Sequence, residues 1–105
     1  MFELKKSGEK FHFVLKAANG QVILSSQMYA SKASAMNGIE SVKTNSADDS
    51  LFERKTAANG KFHFNLKSTN GQIVGSSQMY ASESGVANGI KSVKTNAPKA
   101  SVKEI

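Results

Sequence analysis

The stretch SSQMYAS at residues 25–31 decides how this sequence is interpreted, because it occurs again at residues 76–82. The two occurrences lie 51 residues apart, and residues 10–45 match residues 61–96 at 24 of 36 positions. Other landmarks keep the same offset: FHF at 11–13 and 62–64, Asn-Gly at 19–20 and 70–71, and NGI at 37–39 and 88–90. The chain is therefore a tandem duplication, and each half should adopt the same fold.

The size of the repeat bears on how the two halves are arranged. A unit of roughly 50 residues buries too little surface to be stable alone, whereas two such units sharing a core make one ordinary domain. The connector at residues 46–50 is short and polar, so it holds the halves close together. We predict a first β-β-β-α repeat at residues 1–49 and a second β-β-β-α-β repeat at residues 50–105, which together form one compact domain.

The pattern of apolar residues predicts the elements of each repeat. Phe11, Phe13 and Leu15 alternate with other residues, which indicates a strand at residues 10–16 with one buried face. Ser31 and Ser82 are candidate N-caps of helices whose apolar residues recur at positions i, i+4 and i+7. The predicted core comprises Phe11, Phe13, Leu15, Ile39, Val42, Phe62, Phe64, Leu66, Ile90 and Val93.

These elements predict an α+β fold, in which each repeat places three strands before one helix and the two repeats share one core. The Asn-Gly pairs supply left-handed backbone conformations for tight turns before the third strand of each repeat. Gly38 and Gly89 interrupt the helices at a cost of up to ~1 kcal/mol each. We expect both glycines to allow close approach of the helix backbone to the sheet or to the other helix.

This order of features resembles the YegP-like family of small bacterial proteins of unknown function. The strands with their Asn-Gly turn, the SSQMYAS stretch and a helix carrying Asn-Gly-Ile-x-Ser-Val occur twice and cover nearly the whole chain. The resemblance implies tandem β(3)-α-β units in one continuous sheet, with C-terminal strands exchanged between the repeats about a pseudo-twofold. We therefore predict a single antiparallel sheet built from both β-β-β-α-β repeats, with two helices packed on one face. The resemblance also implies that residues 102–105 complete the sheet, and it brings no known activity, cofactor or partner.

Composition limits the classes of function. The chain has 14 Lys and Arg residues against 8 Asp and Glu residues, for a formal net charge of +6. A basic balance suits polyanion binding but also keeps a small protein soluble, and the scattered lysines favour solubility. The absence of cysteine excludes disulfides, thiolate metal sites and a cysteine nucleophile. No signal peptide or membrane-spanning apolar segment is recognised, so we expect a soluble cytoplasmic protein.

The outward face of the predicted sheet is the candidate for polyanion binding. Its strand positions hold lysines and histidines, which suit contacts to phosphate groups. The candidate residues are Lys5, His12, Lys16, Lys55, His63 and Lys67. This face lacks aromatic residues on which bases stack, and the outward Glu3 and Glu53 reduce its charge. Weak nucleic-acid binding is therefore an alternative hypothesis.

The histidines and tyrosines are the remaining candidates for chemistry. A twofold would bring His12 near His63, and a pair of imidazoles can bind a transition metal. We favour solvated outward positions for both, since no cysteine or acidic partner completes a ligand set. Tyr29 and Tyr80 are expected to pack against the first helical turn. No nucleophile-elbow, Walker or dinucleotide motif occurs, so we predict no catalytic residue, no cofactor, no metal and no enzymatic activity.

The leading hypothesis is a non-enzymatic structural or protein-interaction module. A sheet of this kind ends in two edge strands, whose unpaired backbone groups can pair with a strand of a partner protein. We expect a monomer whose partner binds at a sheet edge. Salt separates the two hypotheses, because rising salt weakens binding to a polyanion but leaves strand pairing intact.

Overall fold

The computed structural model describes residues 1–105, and each repeat contains three strands followed by a helix, as predicted. The elements of the first repeat are β1 (Phe2–Ser7), β2 (Lys10–Lys16), β3 (Val22–Ser25) and α1 (Lys32–Asn45). Those of the second are β4 (Phe52–Thr56), β5 (Phe62–Lys67), β6 (Ile73–Ser76), α2 (Glu83–Asn96) and β7 (Val102–Glu104). One turn of 3-10 helix follows each α-helix, at Asp49–Leu51 and Ala97–Lys99.

All seven strands join one sheet, in the order β4-β5-β6-β3-β2-β1-β7. Within each repeat the neighbouring strands are antiparallel and are connected along the chain by turns. The turns before β3 and β6 place Gly20 and Gly71 at φ 83° and 87°, the left-handed conformation that favours glycine. The two repeats meet at the centre of the sheet, where Ser25 of β3 pairs with Ser76 of β6. The prediction of one continuous sheet is therefore confirmed.

The last strand crosses to the first repeat, as the family resemblance implied. β7 follows α2 but pairs with β1, with Val102 beside Phe2 and Glu104 beside Leu4. This pairing is parallel, so the prediction of a wholly antiparallel sheet is wrong at this edge. The strand after each helix runs opposite to the strand before it. Because β6 already runs opposite to β1, β7 must run in the same direction as β1.

Both helices begin at the predicted serines and pack across the boundary between repeats. The Ser31 side chain accepts a hydrogen bond from the backbone N–H of Ser34, and Ser82 does the same for Gly85. Helix α1 contacts β6 as well as β2, and α2 contacts β3 as well as β5. Each helix thus rests on strands of both repeats. Neither helix has the length and apolar character needed to cross a membrane.

The hydrophobic core lies between the sheet and the helices. Eight of the ten predicted core residues are buried, and Phe13, Leu15, Phe64 and Leu66 have no exposed surface. Phe11 and Phe62 are only partly buried and flank the core, because each lies nearer the start of its strand. The alternation of apolar and polar residues at 2–5 also predicts that Phe2 and Leu4 of β1 point inward, and exposures of 0% and 1% confirm it.

Gly38 shows why the helices carry glycine at this position. A Cβ atom on Gly38 would lie 2.5 Å from the Tyr29 hydroxyl oxygen and 2.9 Å from the Phe13 ring. Gly89 has the same relation to Tyr80 and Phe64. The expected close approach of the helix backbone to the sheet is therefore confirmed, and the groups that the two glycines approach are aromatic rings packed between sheet and helix.

Candidate functional site

The sheet face opposite the helices, which we call the outer face, is crossed by one row of neighbouring residues. The strand pairings connect Glu53, Asn65, Ser76, Ser25, Val14, Glu3 and Lys103 in that order. The two glutamates lie toward opposite ends of the row, and the residues between them carry no charge. The outer face consequently contains two separate charged clusters with a neutral centre.

Each cluster consists of one glutamate and two of the candidate lysines. The Nζ atom of Lys16 lies 3.1 Å from Oε2 of Glu3, and that of Lys67 lies 2.8 Å from Oε2 of Glu53. The second lysines are more distant, with Lys5 at 4.0 Å from Glu3 and Lys55 at 3.7 Å from Glu53. All four lysines therefore have a carboxylate neighbour, which reduces the positive potential available to a polyanion.

The two histidines do not come together. His12 lies two residues before Val14 in β2, and His63 lies two residues before Asn65 in β5. Val14 and Asn65 both belong to the row, and β3 and β6 lie between their strands. Because β2 and β5 run in opposite directions, strand geometry places His12 roughly 20 Å from His63. The idea that a twofold brings them close enough to share a metal is wrong. They are also not freely solvated, since Nδ1 of each is buried without a hydrogen-bond partner.

Glu53 is held more tightly than an ordinary surface carboxylate. Hydrogen bonding from Lys67, and then from Asn65, holds the pKa of the Glu53 carboxyl below its usual range. The hydroxyl of Ser76 donates a 2.7 Å hydrogen bond to Oδ1 of Asn65, which orients that amide. The first repeat has Val14 in place of Asn65, so this hydrogen-bonded chain exists in one repeat only.

Tyr29 and Tyr80 serve in packing, and Tyr80 does so at the predicted first helical turn, where its ring adjoins Gly85 of α2. The Tyr29 ring stacks on Phe13 at 6.1 Å between centroids, and its hydroxyl lies over Gly38, in the second turn of α1. Burial raises the pKa of the Tyr29 hydroxyl, and a side-chain hydrogen bond with Gln27 acts in the opposite direction. Tyr80 repeats the stacking on Phe64.

One edge of the sheet is closed by the chain's own C-terminal segment. The N–H of Phe2 donates to the carbonyl of Ser101 at 2.8 Å, and the N–H of Ile105 donates to the carbonyl of Leu4 at 2.9 Å. On the helix side of the sheet, Nζ of Lys32 in α1 forms an ion pair with Oε2 of Glu104 at 2.6 Å. Backbone pairing and a helix contact together hold β7 against β1.

The other edge has no such strand. β4 pairs only with β5, so the outward backbone of Phe52–Thr56 has no strand neighbour, and we call this the free edge. The pairings Glu3–Val14 and Glu53–Asn65 are equivalent, which gives the backbone of Arg54 the position that Leu4 has in β1. Phe2 is fully buried under β7, whereas Phe52 is only partly buried. The free edge therefore retains unpaired backbone groups and partly uncovered apolar surface.

A groove runs beside the free edge, between β4 and α2. Its cavity of about 350 Å³, which we call the β4–α2 groove, is lined by Asp49, Arg54, Ala87, Ile90, Lys91, Lys94 and Thr95. Arg54 also lines an adjoining cavity of about 150 Å³ with Phe62, Glu83 and Val86. Lys94 pairs with Asp49, the one carboxylate that lines this groove. Neither Arg54 nor Lys91 has a carboxylate within salt-bridge distance. The groove combines apolar helix surface with an excess of positive charge.

Comparison with known proteins agrees with this architecture. The family model described as a domain of unknown function, DUF1508, matches residues 7–53 and 57–104. The UPF0339 protein YegP of Escherichia coli K12 is 55% identical over 98% of this chain and 94% of its own length. The UPF0339 protein PA0329 of Pseudomonas aeruginosa is 54% identical with the same coverage.

Two solved structures extend the comparison to three dimensions. The solution NMR structure of yegP from E. coli, a protein of unknown function, has a TM-score of 0.93 and 55% identity, covering 98% of this chain and 90% of that one. The solution NMR structure of a UPF0339 protein from Shewanella oneidensis has a TM-score of 0.92 and 51% identity, covering 98% and 88%. This chain belongs to the DUF1508 family, as a tandem two-repeat member with the α+β fold of the YegP proteins. The function of that family is unknown.

Sequence reasoning found the residues of the outer face but not the difference between the two sheet edges. The one signal available was the replacement of Leu4 by Arg54 at equivalent strand positions. An inward apolar residue in one repeat and a cation in the other indicates that the second position is not covered in the same way.

Proposed function

We propose that this protein is a non-enzymatic, cytoplasmic interaction module, monomeric on its own, which binds an extended segment of a partner protein along the free edge of β4. The observation that carries the proposal is the closure of the opposite edge. There, β1 binds the segment Val102–Glu104 through backbone pairing, and β4 presents the equivalent backbone without a neighbour. Addition of a strand to an exposed edge is a general mode of peptide recognition.

The relation between the repeats supports this choice of edge. From the centre of the sheet outward, the strands run β3, β2, β1 on one side and β6, β5, β4 on the other. This matching order supports a pseudo-twofold through the Ser25–Ser76 pair. Under that operation only β7 lacks a counterpart. An eighth strand beside β4 would complete the symmetric sheet, and it would cover Phe52 in the way that β7 covers Phe2.

Weak nucleic-acid binding through the outer face is the second candidate. The net charge of +6 favours it, as do the four lysines of that face. Their pairing with Glu3 and Glu53 argues for low affinity. Chemical-shift titration with a short single-stranded oligonucleotide at low and at physiological salt tests this candidate. Shifts at His12, Lys16, His63 and Lys67 that persist at physiological salt would support it.

Peptide selection tests the proposed function directly. A phage-displayed library of linear peptides is selected on the full chain and counter-selected on Arg54→Pro. Proline removes the outward N–H of Arg54 without removing a bond between β4 and β5, and edge strands tolerate it. Arg54→Ala is the matched control, since it loses the side chain but keeps the N–H. Peptides that bind the wild type and Arg54→Ala but not Arg54→Pro support the proposal. Binding unaffected by proline, or no enrichment, would contradict it.

A further inference from the structure

The pairing of β7 with β1 describes what a strand beside β4 would meet, residue by residue. In the existing pair, Val102 lies beside the inward Phe2, Lys103 beside the outward Glu3, and Glu104 beside the inward Leu4. The equivalent residues of β4 are Phe52, Glu53 and Arg54. A parallel strand at the free edge would therefore face an apolar residue, an outward carboxylate and an inward guanidinium in succession.

Resting on the proposed function, we infer that the free edge selects an extended segment with an apolar residue followed two positions later by an acidic one, and that this segment runs parallel to β4. The apolar side chain would cover Phe52, which is only partly buried, and the flank of α2 beside Ile90. The acidic side chain would lie beside Arg54, inside the β4–α2 groove.

The charges around the groove support an acidic residue at that position. Arg54 and Lys91 have no carboxylate within salt-bridge distance, while Asp49 is already paired with Lys94. Glu83, the counterpart of Lys32, lines the adjoining cavity together with Arg54 but forms no salt bridge with it, so the Arg54 guanidinium stays available to a carboxylate of the bound segment. Arginine binds a carboxylate through two parallel hydrogen bonds, which gives geometric selectivity beyond simple attraction.

The first repeat provides the contrast that makes this inference specific. There Leu4 takes the place of Arg54, and Glu104 pairs instead with Lys32 at the start of α1. In α2 the residue equivalent to Lys32 is Glu83. The cation available to an acidic side chain at the free edge is therefore Arg54 of β4 and not a residue at the start of the helix. The two edges therefore share a backbone arrangement and the acidic preference, but they differ in the cation that satisfies it.

The chain's own C-terminal sequence is the probe, because Val102 and Glu104 fit the inferred pattern and Lys103 would lie beside the outward Glu53. A synthetic peptide with the sequence of residues 99–105 is titrated into the ¹⁵N-labelled full chain, and a second peptide carries the change Glu104→Lys. We expect shifts in Phe52–Thr56 and in α2, with affinity about fivefold lower for the charge-reversed peptide. In the variant Arg54→Glu the order of the two peptides should reverse. Arg54 is exposed, so this variant should keep the fold, which its amide spectrum verifies.

Direction is tested with a spin label on the N-terminus of the peptide. A parallel strand places this label near Phe52, and an antiparallel strand places it near Thr56. Broadening near Phe52 supports the inference, and broadening near Thr56 overturns it. Shifts confined to β1 would mean that the peptide merely displaces β7, which also overturns the inference.

The charge reversal has its own outcome. If the peptides shift β4 but the order of their affinities does not reverse in Arg54→Glu, the acidic preference is refuted while the proposed strand addition stays intact. No shifts with this peptide would refute the inferred pattern, and the library selection judges the proposed function separately.

Discussion

At the scale of single residues, Gly38 and its counterpart Gly89 make the tightest glycine contacts of the fold. Replacement of Gly38 by alanine would force a Cβ atom against the Tyr29 hydroxyl and against the Phe13 ring, which is fully buried, so the two rings would have to shift. Alanine favours the helix by about 1 kcal/mol, but overpacking a core costs typically 1–3 kcal/mol. We therefore expect Gly38→Ala to lower the free energy of unfolding by up to about 2 kcal/mol in a urea titration.

Two further variants separate sterics from helix propensity. Asn37→Ala changes an exposed neighbour in the same helix, and it should leave stability equal or slightly higher. Tyr29→Phe removes the nearest atom, so it should restore part of the stability lost in Gly38→Ala. If the double variant were no more stable than Gly38→Ala, the hydroxyl contact would not be the cause.

The pKa of Glu53 gives a second prediction at this scale. Hydrogen bonding from Lys67 and Asn65 lowers this pKa in the folded chain, whereas an unfolded glutamate titrates at about 4.3. The associated stabilisation is therefore present above about pH 4.3 and is lost as pH falls through the folded pKa. An NMR titration of the side-chain carboxyl should give a pKa below the usual range. Asn65→Val, which installs the residue of the first repeat, should move it upward, and an unchanged pKa would discount the amide.

At the scale of elements, β7 matters more to the first repeat than to the second, although it follows the second in sequence. It covers Phe2 and Leu4, and Lys32 reaches it from α1. Deletion of residues 101–105 should lower the free energy of unfolding by about 2–4 kcal/mol, since it uncovers the side chains of β1. Amide exchange should become faster in β1 and β2 and stay nearly unchanged in β4 and β5. The reverse distribution would contradict strand exchange. Lys103→Ala, at an exposed position of β7, is the control that should have little effect.

At the scale of the whole molecule, neither repeat has a complete core. Helix α1 rests partly on β6, and α2 rests partly on β3, so each half lacks the surface on which its helix packs. Residues 1–49 and 50–105, produced separately, should each lack cooperative thermal unfolding when followed by circular dichroism. Mixed in equal amounts, they should recover a cooperative transition. A folded, isolated half would show that the division at residues 49 and 50 separates independent units.

Much of the architecture could be read from the residues because its signals are local. Alternation at residues 10–16 placed β2, the serines placed the helix starts, and the duplication required the second copy to match. The outer-face residues followed from the same alternation. The ion pairs that neutralise Lys16 and Lys67 depend on diagonal neighbours in adjacent strands, which periodicity along one strand does not specify.

The sequence by itself determined a duplicated β-β-β-α unit, its buried faces, its helix caps and the sharing of one sheet. Only the tertiary structure decided that the histidines lie far apart, that β7 runs parallel to β1, and that β4 remains a free edge. The physical reason is that period and propensity act along the chain and are nearly equal in the two repeats. The choice of which edge a strand covers depends on where a helix returns the chain across the sheet. That choice makes the edges of two similar repeats different. Leu4 is buried beside β7, whereas its counterpart Arg54 lies at the free edge of β4.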